Sequence, residues 1–430
     1  METDNFTNVI VQDIAASQKN ALVGGPFGSN LITSDYVEAG IPVIRGQNMG
    51  QGRWVTGSFA FVTREKAQSL KANMAKPGDL VFTQRGTLGQ VAIIPTGEFP
   101  EYLISQSQMK LTVDEQKADA VYLFYVFSGE EQLAYIRQNS IQTGVPHTNL
   151  TTLRNTPLTL PKLNEQKAIA KILSSLDDKI ELNRQMNATL EAMARALFKA
   201  WFVDFEPVDA NLQNRPSTSA SPEIAKLFPS DFENGIPRGW GKKSLDEIAD
   251  FLNGLALQKF PPESEYEFLS VIKIAQLRKG NTEGSDKASK YLKPEYIVRD
   301  GDVLFSWSGS LEVEIWCGGD GALNQHLFKV TSQNYPKWFY FLWTRFHLAD
   351  FRETAAHKAT TMGHIQRYHL KDAKVTVPDP QLLAEMNRVF EPIIVRLTSN
   401  NIEAKTLAEI RDSLLSRLLN GSLKSVCLPI

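Results

Sequence analysis

At 430 residues, 42% of them hydrophobic and 22% charged, the chain has room for two domains, each with its own core. A formal net charge of −2 argues against binding DNA by bulk charge, so any such contact must come from local clusters or from partners. Cys317 and Cys427 are the only cysteines, which excludes a disulfide framework and a cysteine-rich zinc site, and no apolar run approaches the length of a membrane span.

The acidic start, METDNFTNVIVQDIAAS, lacks the basic-then-apolar order of a signal peptide, and the cytoplasm is the expected compartment. The first globular region, 1–160, holds short β-rich runs (IPVIRG, DLVFTQ, QVAII, QMKLTV) broken by Gly- and Pro-containing turns. A short aromatic helix or strand follows at Val121–Phe127, then a helix over Gly129–Asn139. Pro161 opens a long helix, 161–205, whose apolar residues Ile169, Ile172, Leu176, Ile180, Leu190, Ala194, Leu197 and Trp201 recur every three or four positions, as in a coiled-coil seam. Asn183 and Asn187 interrupt this stripe, a choice that costs stability and fixes register. The segment 206–237 is rich in Pro, Ser, Asn and Asp and reads as an exposed linker. A second globular region, 238–377, a second long helix, 378–422, and a tail, 423–430, complete the chain.

The second half repeats the first. KPGDLVFTQRGTLGQVAII aligns with RDGDVLFSWSGSLEVEIW, ISQSQMKLTV with LNQHLFKVTS, and VYLFYVF with KWFYFLW. Gly78, Asp79, Phe82, Gly86, Gln106 and Lys110 thereby fall opposite Gly301, Asp302, Phe305, Gly309, Gln325 and Lys329. The offset is 223 residues between Gly78 and Gly301 and settles at 217 from His147 and His364 onward. The second stripe runs through Met386, Phe390, Ile393, Leu397, Leu407, Ile410, Leu414 and Leu418, with Asn400 opposite Asn183. Helices that hold register while the globular parts vary in length suit an antiparallel pair; the alternative is that each helix covers only its own domain. Pro392 predicts a kink or break in the second helix.

No catalytic constellation emerges. GWGKKS lacks the spacing of a phosphate loop, WCGGDGALN does not fit the dinucleotide fingerprint, no H-E-x-x-H occurs, and His364 and His369 stand too far apart for a zinc pair on one helix face. The Asn-Pro-Pro-aromatic motif of an amino-methyltransferase is also missing, so neither catalytic residues nor a metal site are expected.

LPKLNEQKAIAKILSSLDDKIELNRQMNATLEAMARALFKAWFVDFEPV, the later IRDSLLSRLLNGSL and the paired GDLVF and GDVLF segments resemble the specificity subunits of type I restriction–modification enzymes over essentially the whole chain. PDPQLLAEM departs from the motif, since Glu-Gln is replaced there. The resemblance implies an α+β protein: two pseudo-repeated mixed α/β target recognition domains separated by two long helices forming an antiparallel coiled coil. It further implies that each domain reads half of a bipartite, asymmetric site in double-stranded DNA. The helices would set the spacer and dock two modification subunits. S-adenosylmethionine, ATP and Mg would belong to the modification and restriction subunits, with no cofactor on this chain. A helix of ~40 residues reaches roughly 60 Å, enough for two readers a turn of DNA or more apart. The DNA-recognition subunit of a combined restriction–methylation system and a paired-domain adaptor are the competing classes.

Polar loops are the candidate base readers. In the first domain these are Arg45, Gln47, Asn48, Gln84, Arg85, Thr87, Gln106 and Gln108; in the second, Lys273, Gln276, Arg278, Ser306, Ser308, Gln325 and His326. Each also reads as an ordinary solvated or turn-capping residue. His147 and His364 either touch DNA or anchor the junction between domain and helix, the latter being favoured. Trp201 and Phe205 read as packing for the helix end, or else as part of a docking patch.

Overall fold

A computed structural model describes residues 6–50, 52–141, 145–357 and 363–423. Cys427 and all but the first residue of the expected tail lie outside the described residues. The chain divides into two compact units, Met1–Lys179 with Leu407–Ile430, and Ile180–Thr406.

The repeat is a repeat of topology. In the first unit a four-stranded sheet runs Leu22–Gly24, Gln108–Leu111, Leu80–Thr83, Val91–Ile93; in the second the order is Asp250–Asn253, Leu327–Thr331, Val303–Ser306, Val313–Ile315. A second sheet pairs Ile41–Ile44 with Tyr102–Ile104 in parallel, as Leu269–Ile272 pairs with Gly321–Leu323. A two-stranded ribbon joins Phe6–Ile10 to Pro157–Pro161, and Gly241–Ser244 to Lys374–Val377.

The central strands read as continuous apolar runs because both of their faces are covered. Leu80 and Phe82 enter one core with Tyr122, Leu123 and Phe127, whereas Val81 points into another with Ile44 and Ile104. Val303 and Phe305 separate from Leu304 in the same way. Each strand is launched by a tight turn: Asp79 N donates to Lys76 O at 3.0 Å and Asp302 N to Arg299 O at 3.1 Å. Gly78 and Gly301 sit at φ of 90° and 91°, which the third position of such a turn requires. The aromatic runs are helices, Ala120–Ser128 and Lys337–Phe346, the former capped by Asp119 accepting from Tyr122 N at 2.8 Å.

The long helices are Leu163–Phe202 and Pro380–Leu419. The second starts with Asp379 accepting from Gln381 N and Leu382 N, and with Pro380 at its first position. It runs unbroken through Pro392, so the expected break is not found. Pro392 is exposed, so the carbonyl it leaves without an amide partner can be hydrated, while buried Phe390, Ile393 and Ile394 clamp the turn from within.

The two helices face each other antiparallel. In the second unit Asn183 Nδ2 donates to Glu403 at 2.9 Å, and Asn187 Nδ2 donates to Leu397 O at 3.2 Å and to Asn401 Oδ1 at 2.7 Å. Asn400 Nδ2 donates to Asn187 Oδ1 at 2.8 Å. In the first unit Arg411 meets Asp177 at 2.7 Å, and Asp177 also accepts from the Tyr125 hydroxyl at 2.5 Å. Arg53 joins Asp178 at 2.6 Å, tying the globular part to its helix. Of the stripe, Ile169, Ile180, Ile393 and Leu397 are buried; Ile172, Leu176, Leu190, Leu197, Leu407 and Leu414 are half-buried, and Ile410 is exposed. The deepest apolar positions include Leu173 and Phe198, which turn toward the globular cores.

The segment expected as an exposed linker is folded. Helices Glu206–Leu212 and Pro222–Ala225 bury Ala210 and Ala225, and Val208 and the following Phe228 join the core that holds Trp201 and Trp240. Glu206 gathers Ser217, Ser219, Thr218 N and Arg215, and these hydrogen bonds hold its carboxyl well below the usual range despite desolvation. Its Ser residues, read as linker composition, are donors for this carboxylate. Trp201 donates to Ser219 O at 3.1 Å and Phe205 packs on Phe232 and Trp240, so both serve packing.

Candidate nucleic-acid interface

In the first unit the strand Leu80–Thr83 runs into a turn carrying Gln84, Arg85 and Thr87. Gln84 N and Arg85 N donate to Ser107 O at 2.7 and 3.3 Å, Gly86 N donates to Pro146 O at 3.2 Å, and Thr148 N donates to Gln84 O at 2.9 Å. Arg85 and His147 form an antiparallel bridge. Ser105 N reaches Ile44 O at 3.0 Å, which brings the loop Arg45–Asn48 beside Gln106 and Gln108. Gly25 lies so close that a Cβ there would stand 2.0 Å from Ser105 O. All the first-domain candidates therefore converge on one end of the unit.

The second unit builds the same cluster on different side chains. Trp307 N donates to His326 O at 3.3 Å, Gly309 N to Gly363 O at 2.9 Å, Ile365 N to Trp307 O at 3.0 Å and Asn324 N to Ile272 O at 3.3 Å. Ser308 bridges His364, and a Cβ on Gly254 would stand 2.2 Å from Asn324 O. Matched by these bonds, Gln84 corresponds to Trp307, Arg85 to Ser308, Thr87 to Ser310, Gln106 to Gln325 and Ser107 to His326. Trp307 Nε1 donates to Asn253 at 2.8 Å, its ring lies 5.8 Å from His326, and Ser308 Oγ is hydrogen-bonded to His326 Nδ1 at 2.9 Å. His147 and His364, favoured as junction anchors from the sequence, pair through their backbones with these turns.

Burial divides the candidates. Asn48, Gln108, Gln276 and Ser306 are buried, and three of them serve the backbone: Asn48 donates to Thr56 O and Ser58 O at 3.1 Å, Gln276 donates to Glu283 O at 3.5 Å, and Ser306 donates to Ser310 O at 2.6 Å. Gln108 accepts from Ser105 Oγ. Ser308 is buried beside His326. Gln47, Arg85, Thr87 and Arg278 are exposed; Arg45, Gln84, Gln106, Lys273, Gln325 and His326 are half-exposed. Lys273 is ion-paired with Asp286, Arg278 stands 4.0 Å from Glu312, and Arg45 lies over the Tyr36 ring.

Loop composition did not single out Trp307, which is aromatic where its counterpart is an amide. It also concealed an ion pair inside each four-stranded sheet. Asp79 pairs with Lys110 at 3.3 Å, both buried, and also accepts from Thr112 at 2.7 Å; Asp302 pairs with Lys329 at 2.8 Å in the second unit. Each member of these pairs was visible in the repeat, but their contact was not.

Two units of one topology, each with a polar loop cluster and each holding antiparallel stretches of the two long helices, define a paired-domain recognition protein. Among the described residues no helix is long and apolar enough to cross a membrane. Residues 30–192 and 237–410 match the family model described as the type I restriction modification DNA specificity domain. The chain belongs to that family, the specificity subunits of type I restriction–modification systems. It is 24% identical to the MjaIX specificity subunit of Methanocaldococcus jannaschii over 415 residues, covering 94% of this chain and 91% of the relative. It is 25% identical to the HindI specificity subunit of Haemophilus influenzae over 407 residues, covering 81% and 87%. Its fold matches the crystal structure of a type I S subunit from M. genitalium with a TM-score of 0.62 at 14% identity, covering 97% of each chain.

Proposed function

We propose that each unit reads one half of a bipartite, asymmetric site in double-stranded DNA through its loop cluster, and that the helix pair sets the spacer and docks two modification subunits. The observation that carries this is the pairing of one backbone scaffold with different readers. Where the first unit presents Gln84, Arg85 and Ser107, the second presents Trp307 and His326, with Ser308 buried against the imidazole. An amide and a guanidinium suit adenine and guanine edges in the major groove, whereas an indole with an imidazole offers apolar and single-donor contacts. Equivalent frames with unlike chemistry read unlike sequences.

On this reading the chain is the non-catalytic member of its complex. The modification subunits bring S-adenosylmethionine and methylate adenine, and the restriction subunits bring ATP and Mg for translocation and cleavage. The assembly works in the cytoplasm, where the host DNA lies. Phosphate contacts from these partners account for tight binding around a chain of net charge −2.

Single substitutions in the assembled complex test the assignment. Arg85→Ala is expected to relax methylation at bases of one half-site only, and Trp307→Ala at bases of the other only, each by about 1–3 kcal/mol of discrimination. Relaxation of the same half-site by both variants would contradict one reader per unit.

A further inference from the structure

The first loop cluster contains one side chain whose exposure nothing in the fold explains. Phe27 is 85% exposed, more than any other phenylalanine among the exposed large hydrophobics of the described residues. It stands in the loop Gly25–Leu31, between residues fastened to the reader loops. Gly25 N donates to Gln108 O at 2.7 Å, and Gln106 Nε2 donates to Gly28 O at 2.8 Å and also to Leu31 O. A Cβ on Gly24 would lie 3.4 Å from Gln84 Oε1. A fully solvated phenyl ring is thus held among the exposed and half-exposed polar side chains of the cluster rather than on a loose tip.

The second unit carries no ring at the matching position. Gly25 and Gly254 occupy the same place, donating to Gln108 O and Leu327 O, and two residues further on Phe27 corresponds to Ala256. The loop geometry therefore does not need an aromatic residue there, and removing it opens no cavity. Exposing so much apolar surface to water is unfavourable in the free protein and becomes favourable when a partner covers it.

We propose that Phe27 is a specificity-determining residue of the first unit, laying its ring against the apolar surface of bases in the first half-site. This rests on the DNA-reading function proposed above. Apolar side chains read DNA by contact with thymine methyl groups or by wedging at a base step, and neither mode engages a phosphate. Phe27 should therefore contribute to sequence discrimination and leave the salt dependence untouched.

The test uses the complex of this chain with its modification subunits and three duplexes: the site returned by its methylation map, that site with the first half scrambled, and that site with the second half scrambled. Binding is followed by fluorescence anisotropy at several salt concentrations. Phe27→Ala is expected to weaken binding to the intact site about tenfold, with an unchanged salt slope and unchanged binding to the duplex whose first half is scrambled. Phe27→Leu should recover part of the loss. Equal binding of Phe27→Ala and wild type to the intact site, or an equal loss on all three duplexes, would overturn the proposal. Wild-type complex that fails to distinguish the intact site from the scrambled ones would overturn the DNA-reading function itself, and the Phe27 contact with it.

Discussion

Lys110 and Asp79 are 6% and 1% exposed, and they pair across the central strands of the first unit's four-stranded sheet. A buried charge without its partner is far worse than the pair, so Lys110→Met is expected to destabilise the first unit by about 3–5 kcal/mol in urea unfolding. The matching Lys329→Met change should cost less, because Lys329 and Asp302 are 15% and 25% exposed and water screens the orphaned carboxylate. Equal costs at the two sites would show that burial is not the controlling variable. At this scale the sequence was only partly legible. The repeat placed Asp79 with Asp302 and Lys110 with Lys329 but did not show that aspartate meets lysine. Polar loop residues were recognisable by type, yet Gln108 and Arg85 carry no signal that one is buried and the other exposed. That difference is set by neighbours distant in sequence. Gln166, part of the motif Leu-Asn-Glu-Gln, proves to be buried, accepting from Asp119 N at 3.0 Å and donating to Pro161 O at 2.9 Å. It fastens the helix start to its domain.

Among the elements, the long helices were the most legible, because a three-and-four stripe with interrupting asparagines has few alternative explanations. Asn183, Asn187 and Asn400 are buried and bonded across the pair. The phase of the stripe was less clear, since each helix also packs on a globular core and apolar residues such as Leu173 and Phe198 serve that second face. Segment 206–237 misled because Ser and Asn signal solvent exposure on average, whereas here Ser217 and Ser219 solvate a buried-side carboxylate. Pro392 misled because the rule for proline describes an isolated helix, and here packing on one side and water on the other keep the helix whole. Pro392→Ala should therefore leave the helix continuous and raise the melting temperature, through a gain of about 1–3 kcal/mol from the restored hydrogen bond and higher propensity. A lowered melting temperature would mean that the proline geometry is itself required.

For the molecule as a whole, the family is legible from the repeat: two equivalent frames, unlike loop side chains, and helices whose register does not drift while the domains vary. Helix length then bears on the DNA spacing, whereas loop chemistry bears on the half-sites, and the two properties should change independently. The target sequence itself is not legible, because on the proposed reading several accessible side chains of each unit would combine with DNA shape and partner contacts to select it. The most direct measurement is a methyladenine map of a host carrying this chain and its partner subunits, compared with one carrying a four-residue insertion in the first long helix. The expected result is a bipartite motif with modified adenines on opposite strands, whose half-sites are unchanged by the insertion while their spacer is altered. A continuous motif, or an unchanged spacer in an insertion variant that still methylates, would contradict the account.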